Sequence, residues 1–477
     1  MIKVNLNNLK YQYDVYQIVN QFFDFEEIKF LEGDCDYFIR LTESKITCKG
    51  KDSDLIYEED IEPVFSLKEQ VKLVVFKYFT QLMKVDMPWG TLIGIRPTKK
   101  VLSLFEEGKT DREIIQYFSK HHLARRDKAE LCIEVANWER KTVNTEKNTI
   151  SVYIGMPFCP TRCVYCSFTS NVVSSNKKRV EDYITTLIHE MQILGKYIKD
   201  NGLNIQCIYF GGGTPTSVDD IQFELVMKNI YENFYSNNIS EFTVECGRPD
   251  SISKVKLLSM KKYGVDRISV NPQTMNDDTL KAIGRNHSAM DVTEKFNLAR
   301  SIGFNNINMD IIVGLPGENI DNIKDTVSKI KALGPDNITV HGLCVKRGSK
   351  LHEKMLYNYK LYKLSQNEIN EMYHCTTNLA KDLGMHPYYM YRQKNMIGSM
   401  ENIGYSLPHK EGIYNIQMIE EKQTIIALGA DAVSKVVFLE ENRHERFANM
   451  KDVKEYVDRI EEMLERKIAL LDTLYKI

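Results

Sequence analysis

The feature that most constrains the fold is a change of pattern at residue 150. From there to about residue 345, short apolar runs alternate with longer segments whose apolar residues recur every three or four positions. Short apolar runs are typical of buried strands, and amphipathic segments are typical of helices that cover them. The predicted strands are 152–156, 205–210, 242–246, 267–270, 308–313 and 338–343. Six successive βα units predict an α/β fold whose parallel sheet curls, through right-handed crossovers, into a partial or complete barrel.

Polar motifs follow these predicted strands where the strands end. In a barrel of parallel strands, the carboxyl ends meet at one mouth, and such folds carry out their chemistry there. We therefore expect the motifs described below to lie close together in space, although they are spread over much of the chain.

The segments on either side of the repeat have different patterns. Residues 1–147 mix alternating and helical apolar positions, and Ser66 is placed to cap a helix that runs to about residue 83. The polar stretch 141–148 is predicted to be a linker. We predict three parts: an N-terminal α+β domain (1–147) that could cover a substrate, a partial (β/α)6 barrel of the TIM type (148–345), and a mostly helical C-terminal extension (346–477).

Three of the ten cysteines stand together. Cys159, Cys163 and Cys166 have the spacing Cys-x3-Cys-x2-Cys on a loop after the first predicted strand. Three thiolates can bind three irons of a [4Fe–4S] cluster and leave the fourth iron without a protein ligand, unlike a four-cysteine electron-transfer site. The amino and carboxylate groups of S-adenosylmethionine (SAM) can chelate that iron, and one electron then cleaves the sulfonium to give a 5′-deoxyadenosyl radical. A zinc site is the alternative, but zinc normally takes four ligands and no fourth Cys or His stands nearby in the sequence.

A glycine run ends the second predicted strand. The sequence Tyr-Phe-Gly-Gly-Gly-Thr-Pro at 209–215 includes Gly212, Gly213 and Thr214. Glycines let a backbone approach a ligand closely, and the threonine adds a hydroxyl. A tight turn would need the same glycines. The position of the run, one βα unit after the cysteine loop, favours a cofactor-binding segment.

Polar residues end the next strands. Glu245 can accept hydrogen bonds from ribose hydroxyls, Arg285 can pair with a carboxylate, and Gln273 and Asp310 can bind hydroxyl or amino groups. The alternative is a set of salt bridges inside the barrel, joining Arg267 or Arg285 to Asp310 or Glu245. For any one of these residues, a salt bridge explains the polar side chain nearly as well as cofactor binding does. Salt bridges explain the four residues together poorly. His341, at the end of the sixth strand, either faces this site or packs in the core.

These motifs resemble those of the oxygen-independent coproporphyrinogen III oxidases, a radical SAM family, and most closely its HemZ-type coproporphyrinogen dehydrogenases. The resemblance is strong over 150–345 and weaker over 388–404 and 425–437, which implies a tetrapyrrole-enzyme-like C-terminal domain. The positions that match the family motifs in collinear order are Tyr153, Tyr165, Gly212, Gly213, Thr214, Glu245, Arg267, Ser269, Gln273, Arg285 and Asp310. By this resemblance Tyr153 joins the three cysteines in the catalytic set. The resemblance also assigns to SAM binding Tyr153, Tyr165, Gly212, Gly213, Thr214, Glu245, Gln273, Arg285 and Asp310.

The chain also departs from the family pattern. The classical dehydrogenase has a fourth cysteine two positions after the third, and Phe168 stands there, as in the related heme-chaperone branch. The classical form binds a second SAM, which this departure puts in question. The segment before residue 148 has no counterpart in the classical form.

The resemblance implies oxidative decarboxylation of coproporphyrinogen III propionates to vinyl groups, giving protoporphyrinogen IX in anaerobic heme biosynthesis. It also implies a one-electron donor such as flavodoxin or ferredoxin. Such an enzyme must hold propionates with cations and cover a flat macrocycle with apolar surface. The candidate cations are Arg162, Arg248, Lys346, Arg347 and Arg392.

Three other functions fit the same core. A heme-binding or heme-delivery protein is favoured by Phe168, although a chaperone has less need of a long N-terminal domain. A radical SAM methyltransferase that opens the heme ring is the second, and an RNA substrate is the third.

Composition bears on partners and location. The 477 residues carry a formal net charge of -2 and a pI of about 6.6, which disfavours nucleic acid as a partner. No apolar run approaches the ~18 residues of a membrane span. The first residues lack the pattern of a signal peptide, so we expect a cytoplasmic protein without a membrane span.

Overall fold

The computed structural model describes residues 1–23, 27–94, 96–166, 171–173, 177–346, 349–351, 353, 364–393 and 396–476. Its strands fall into two larger sheets and one small pair. They are β1 (Ile2–Leu6), β2 (Ile28–Phe30), β3 (Tyr37–Leu41), β4 (Lys45–Gly50), β5 (Ile56–Asp60), β6 (Thr149–Met156), β7 (Phe158–Cys159), β8 (Asn171–Val172), β9 (Asn204–Gly212), β10 (Glu241–Glu245), β11 (Arg267–Ser269), β12 (Ile307–Val313), β13 (Asn337–Gly342), β14 (His386–Tyr391), β15 (Asn402–Ser406), β16 (Thr424–Leu428), β17 (Val433–Phe438) and β18 (Arg443–Ala448).

The helices pack on these sheets. They are α1 (Gln12–Val19), α2 (Leu67–Met83), α3 (Pro97–Glu106), α4 (Asp111–His122), α5 (Arg126–Thr142), α6 (Lys177–Asp200), α7 (Asp220–Phe234), α8 (Lys254–Lys262), α9 (Asp277–Ala282), α10 (Ala289–Ile302), α11 (Ile320–Leu333), α12 (Gln366–Asp382), α13 (Ile413–Glu420), α14 (Val453–Asp458) and α15 (Ile460–Tyr475). The predicted helix cap is confirmed, because the Ser66 side chain accepts a hydrogen bond from the backbone N–H of Glu69.

The large sheet confirms the predicted α/β class. Its strand order is β14-β15-β13-β12-β11-β10-β9-β6-β16-β17-β18. All six predicted strands are present, as β6 and β9 to β13, and neighbouring strands among them pair in parallel. Helices follow these strands as the βα pattern predicts, so the carboxyl ends of the six strands lie at one edge of the sheet.

The C-terminal region extends the same sheet on both sides. β16 pairs in parallel with β6, and β15 pairs antiparallel with β13. The predicted extension is therefore helical only in part, since β14 to β18 all join the large sheet. The sequence pattern alone could not assign these strands to the sheet, because a short apolar run does not show which strand it pairs with.

The N-terminal residues form a second, smaller core. β1 to β5 make a five-stranded sheet in the order β2-β1-β3-β4-β5, against which α1 and α2 pack. Helices α3 to α5 contribute Val101, Phe118 and Cys132 to the larger core, which also holds the strands of the large sheet. The predicted boundary at residue 147 stays a prediction.

A buried ion pair fastens the C-terminal helix to the sheet. Lys467 on α15 lies 2.6 Å from the carboxylate of Glu190 on α6, and both side chains are 0% exposed. The same lysine donates to the carbonyl of Ala427 in β16 at 2.5 Å. Tyr456 and the backbone N–H of Gly429 donate to the other oxygen of the glutamate.

No helix in the described part of the chain is long and apolar enough to span a membrane.

Candidate functional site

A cavity of about 280 Å³ opens at the carboxyl ends of the parallel strands. Its wall brings together nearly all the residues that the sequence singled out, as the barrel argument predicts. The predicted residues that line it are Cys159, Cys163, Tyr165, Cys166, Gly212, Gly213, Thr214, Glu245, Gln273, Arg285 and Asp310. His341 lines it as well, so the open question about that histidine is decided in favour of the site.

The cysteine loop begins at the end of β6 and is held at several points. β7, which contains Cys159, pairs with β8. Farther along, the Thr161 hydroxyl donates to the carbonyl of Gly284 at 2.9 Å, and the backbone N–H of Val164 donates to Ile283 at 3.0 Å. These bonds tie the loop to the turn that precedes Arg285. The loop and the arginine are therefore positioned together.

The three cysteines of the loop all line the cavity. Among the described residues, no three Cys, His, Asp or Glu side chains form a group that could hold a single metal ion. A cubane cluster would bind each of the three cysteines to a different iron, which is the chemistry that their spacing predicts. Burial raises the pKa of the Cys159 thiol to about 11, although the hydroxyl of Thr214 at 3.4 Å from its sulfur acts in the opposite direction.

The glycine run packs directly under this loop. A Cβ built on Gly213 would lie 2.6 Å from the carbonyl oxygen of Phe158 and 3.0 Å from the sulfur of Cys159. Gly212 has φ +103, and its Cβ would lie 2.9 Å from the backbone nitrogen of Met156. These glycines therefore allow close packing against the cysteine loop, and the predicted close approach to a ligand stays a prediction.

Glu245 ends β10 and is half-buried in the cavity wall. The Tyr209 hydroxyl donates a hydrogen bond to its carboxylate. Burial, reinforced by the charge of Asp310, raises the pKa of Glu245 to about 7, although the tyrosine hydrogen bond acts in the opposite direction. The carboxyl group can therefore change its charge near neutral pH.

Asp310 lies in the middle of β12, and Gln273 follows β11 and bridges to β12 at Ile311. The carboxylate of Asp310 accepts a hydrogen bond from Asn308 at 2.7 Å and lies 3.8 Å from His341. Burial opposes ionisation of Asp310, but the nearby imidazole of His341 and the hydrogen bond from Asn308 leave its pKa below the usual value. Gln273 has φ +67, a strained conformation for a non-glycine residue, and backbone bonds to Asp310 and Ile312 hold it there.

Two polar atoms in this wall have no hydrogen-bond partner among the described residues. The Oε1 atom of Gln273 and the Nε atom of Arg285 are buried and make no hydrogen bond within the described part of the chain. The other end of Arg285 donates to the carbonyl of Asn271 at 2.6 Å. Buried polar groups are normally paired, so such atoms in a cavity wall fit a site that a polar ligand completes. The alternative of barrel salt bridges is not what the described residues show, since neither Arg267 nor Arg285 pairs with Asp310 or Glu245 there.

Tyr153 is the predicted site residue that the cavity does not include. Its ring stacks with Tyr209 at 6.2 Å and with Tyr414 at 6.3 Å between ring centroids. These rings form a separate small cluster with Cys207 and Ile425. Its predicted contact with SAM stays a prediction, without support from the cavity lining.

The candidate propionate cations separate into different environments. Lys346 is exposed and lines the cavity. Arg248 also lines it, but Asp250 binds its guanidinium at 2.7 and 2.9 Å. Its remaining Nη1 faces the Thr161 hydroxyl at 3.0 Å and the Cys163 sulfur at 3.7 Å, so Arg248 supports the cysteine loop instead. Arg162 does not line the cavity, and Arg392 lines a neighbouring one. Arg347 and Phe168 lie outside the described residues.

Sequence reasoning missed several wall residues. Asn271 stands in the same segment as Gln273 and could have been found from its position after a strand. Tyr391 and Asn402 come from β14 and β15, whose place beside β13 had no signal in the sequence.

Comparison with known proteins agrees with this geometry. Residues 153–330 match the model of the radical SAM superfamily. The oxygen-independent coproporphyrinogen-III oxidase-like protein HemZ of Bacillus subtilis is 37% identical over 480 residues, covering 96% of this chain and 95% of that protein. The heme chaperone HemW of the same organism is 33% identical over 239 residues, covering 50% of this chain and 62% of that protein.

Among solved structures, the coproporphyrinogen III oxidase HemN from Escherichia coli, described as a radical SAM enzyme, shares the fold. Its TM-score is 0.54 at 20% identity, covering 69% of this chain and 73% of that one. A relative matched over nearly its whole length fixes the family. The chain therefore belongs to the HemZ-type branch of the oxygen-independent coproporphyrinogen III oxidase family, whose radical SAM core uses a [4Fe–4S] cluster and SAM.

Proposed function

We propose that this chain is an oxidoreductase that oxidatively decarboxylates propionate side chains of coproporphyrinogen III to vinyl groups, giving protoporphyrinogen IX in anaerobic heme biosynthesis. The observation that carries the proposal is the single cavity in which three cysteines meet the unpartnered atoms of Gln273 and Arg285. The name of the relative matched along nearly the whole chain supports the substrate class.

The wall residues divide into those for SAM and those for the substrate. Arg285 offers its unpartnered N–H to the carboxylate of SAM, and Gln273 offers its unpartnered oxygen to an N–H or hydroxyl group. Glu245 accepts hydrogen bonds from ribose hydroxyls. When bound, the cluster and SAM would supply a 5′-deoxyadenosyl radical that can take a hydrogen atom from the β-carbon of a propionate. The substrate radical would then lose carbon dioxide and pass one electron to a one-electron acceptor, which leaves a vinyl group.

The mouth of the cavity suits the acidic side chains of the substrate. Lys346 is exposed there, and its ammonium group can bind the carboxylate of the reacting propionate. His341 and Asp310 lie 3.8 Å apart in the cavity wall, where they can bind polar groups of SAM or of the macrocycle. Flavodoxin or ferredoxin is the proposed electron donor.

A heme-binding or heme-delivery function is the second candidate. The observation that favours it is the similarity to the heme chaperone HemW, at 33% identity over half of this chain. Both functions need a tetrapyrrole site, but only the first needs coupled cleavage of SAM and loss of carbon dioxide. They differ in product and not in ligand class.

The test uses coproporphyrinogen III labelled with deuterium at the propionate β-carbons. The reconstituted protein is incubated anaerobically with SAM and a reductant, and mass spectrometry follows both products. We expect deuterium in 5′-deoxyadenosine and a tetrapyrrole that has lost carbon dioxide. Cys163→Ala, which removes one predicted cluster ligand, should give neither product.

Unlabelled 5′-deoxyadenosine, formed at the same rate with and without substrate, would contradict decarboxylation. Transfer of bound heme to an acceptor protein without any change in the tetrapyrrole would then support delivery. A methylated linear tetrapyrrole would instead identify a methyltransferase that opens the heme ring.

A further inference from the structure

A second cavity, of about 330 Å³, lies beside the first and belongs to neither domain alone. Tyr13, Tyr16 and Gln21, on or just after α1, line one side, and Arg392 lines the other. Gln393 lines both this cavity and the one that contains the cysteines. The two cavities are therefore neighbours across a single side chain.

Arg392 is a buried cation that contacts no carboxylate among the described residues. It is 6% exposed, its guanidinium donates to the backbone carbonyls of Leu92 and of Ser399, and it lies 4.8 Å over the ring of Trp89. Its Nε atom makes no hydrogen bond with any described residue. Burying a guanidinium against neutral carbonyls alone is costly, because charge removed from water is normally paired.

The nearby carboxylate, that of Glu401, already binds two other groups. Glu401, whose charge acts on Arg392, binds the ammonium of Lys128 at 2.6 Å and the indole N–H of Trp89 at 2.7 Å. Among the described residues that line the second cavity there is no Asp or Glu. Burial lowers the pKa of Arg392 to about 10, so an anion bound there would favour its charged form. The cavity is thus matched to a negative group.

The opposite side of the cavity is aromatic and exposed. Tyr13 and Tyr16 are three residues apart on α1, and their side chains are 59% and 40% exposed. Residues at this spacing share a helix face. Large rings left in water beside a cavity are typical of a surface that binds a flat apolar group. The Nε2 atom of Gln21 is a further buried donor without a partner in the described structure.

We propose that this second cavity binds the part of the tetrapyrrole farthest from the reacting propionate, with a carboxylate of that part on Arg392 and the macrocycle against the tyrosines of α1. The assignment rests on the tetrapyrrole ligand proposed above and adds the site for its distal rings. A carboxylate supplies the acceptor that Arg392 Nε lacks, and charged hydrogen bonds are about twice as strong as neutral ones. The N-terminal domain then covers the substrate directly, through α1.

Coproporphyrin III, the oxidised and fluorescent form of the substrate, serves as the probe. Its dissociation constant is measured by fluorescence titration of the reconstituted full-length protein. Arg392→Gln should weaken binding about tenfold or more, the usual effect of losing a charged hydrogen bond. Arg126→Gln, which removes an equal charge from a 78% exposed side chain on α5, should leave the affinity unchanged.

A second variant fills the cavity without removing any contact. A Cβ on Gly94, at the rim, would meet nothing within 4 Å, so Gly94→Leu should fold normally and narrow the cavity. It should also weaken coproporphyrin binding. In the native protein, bound coproporphyrin should slow hydrogen–deuterium exchange in α1.

The outcomes separate the two proposals. If the native protein binds coproporphyrin but Gly94→Leu and a folded Arg392→Gln bind it equally well, the second cavity is not part of the site, and the proposed function still stands. If the native protein binds no coproporphyrin, the tetrapyrrole function falls and this assignment falls with it.

Discussion

Replacement of Lys467 by methionine tests the pair that fastens the C-terminal helix. The change removes the partner of Glu190 at a place where both side chains are 0% exposed, and it removes the bond to Ala427. Breaking a buried ion pair leaves an unpaired buried charge and typically costs about 3–5 kcal/mol. Glu190 keeps donors from Tyr456, Gly429 and Asn449, so we expect the lower end, about 3 kcal/mol, in the unfolding of α15.

Native-state hydrogen exchange measures the free energy of unfolding of α15 itself. About 3 kcal/mol corresponds to exchange roughly a hundredfold faster at the α15 amides that open with the helix. The matched control is Arg466→Ala, one residue away, whose side chain is 61% exposed and pairs with Glu462. Exposed pairs contribute about 0–1 kcal/mol, so exchange should change less than tenfold.

A double variant separates the charge from the volume of the side chain. Adding Glu190→Gln to Lys467→Met neutralises the stranded charge and keeps an acceptor for the tyrosine. The double variant should therefore be more stable than Lys467→Met alone. Equal exchange in the single and double variants, or in Lys467→Met and Arg466→Ala, would refute the electrostatic explanation.

Three further predictions concern the cavity. SAM affinity should fall as pH drops through about 7, because Glu245 then takes up a proton and loses acceptor strength, and Glu245→Gln should flatten that profile in calorimetric titrations. Gly213→Ala should lower the iron content per chain, since its Cβ would clash with the cysteine loop, whereas Gly94→Ala should not. Arg248→Gln should lower the reduction potential of the cluster by about 40 mV, the equivalent of about 1 kcal/mol lost from the N–H···S bond to Cys163, as followed by electron paramagnetic resonance.

Much of the fold was predictable because its signals are local. The alternating βα pattern predicted all six parallel strands. It also predicted that Glu245 and Asp310, on different strands, line one cavity. The spacing of the three cysteines was enough to predict a [4Fe–4S] cluster with one open iron. These inferences need only the period of the apolar residues and the rule that parallel strands share an edge.

What could not be predicted depends on contacts between distant parts of the chain. The stretch 425–437 is apolar in the sequence, but the pairing of β16 with β6 follows from the tertiary fold. Arg248 was placed among the substrate cations because the sequence does not show that Asp250 turns its guanidinium toward the cysteine loop. Tyr153 matched a family motif, yet the packing of Tyr209 and Tyr414 decides where its ring lies.

The position of β16 has a consequence for biosynthesis. The strand that leads into the cysteine loop, β6, is translated well before its outer neighbour, β16, which begins at Thr424. Until then one edge of β6 lacks its hydrogen-bond partner, and exposed strand edges pair with other chains. Iron–sulfur assembly on this loop should therefore follow the synthesis of β16, and a nascent chain halted before residue 424 should acquire no stable cluster.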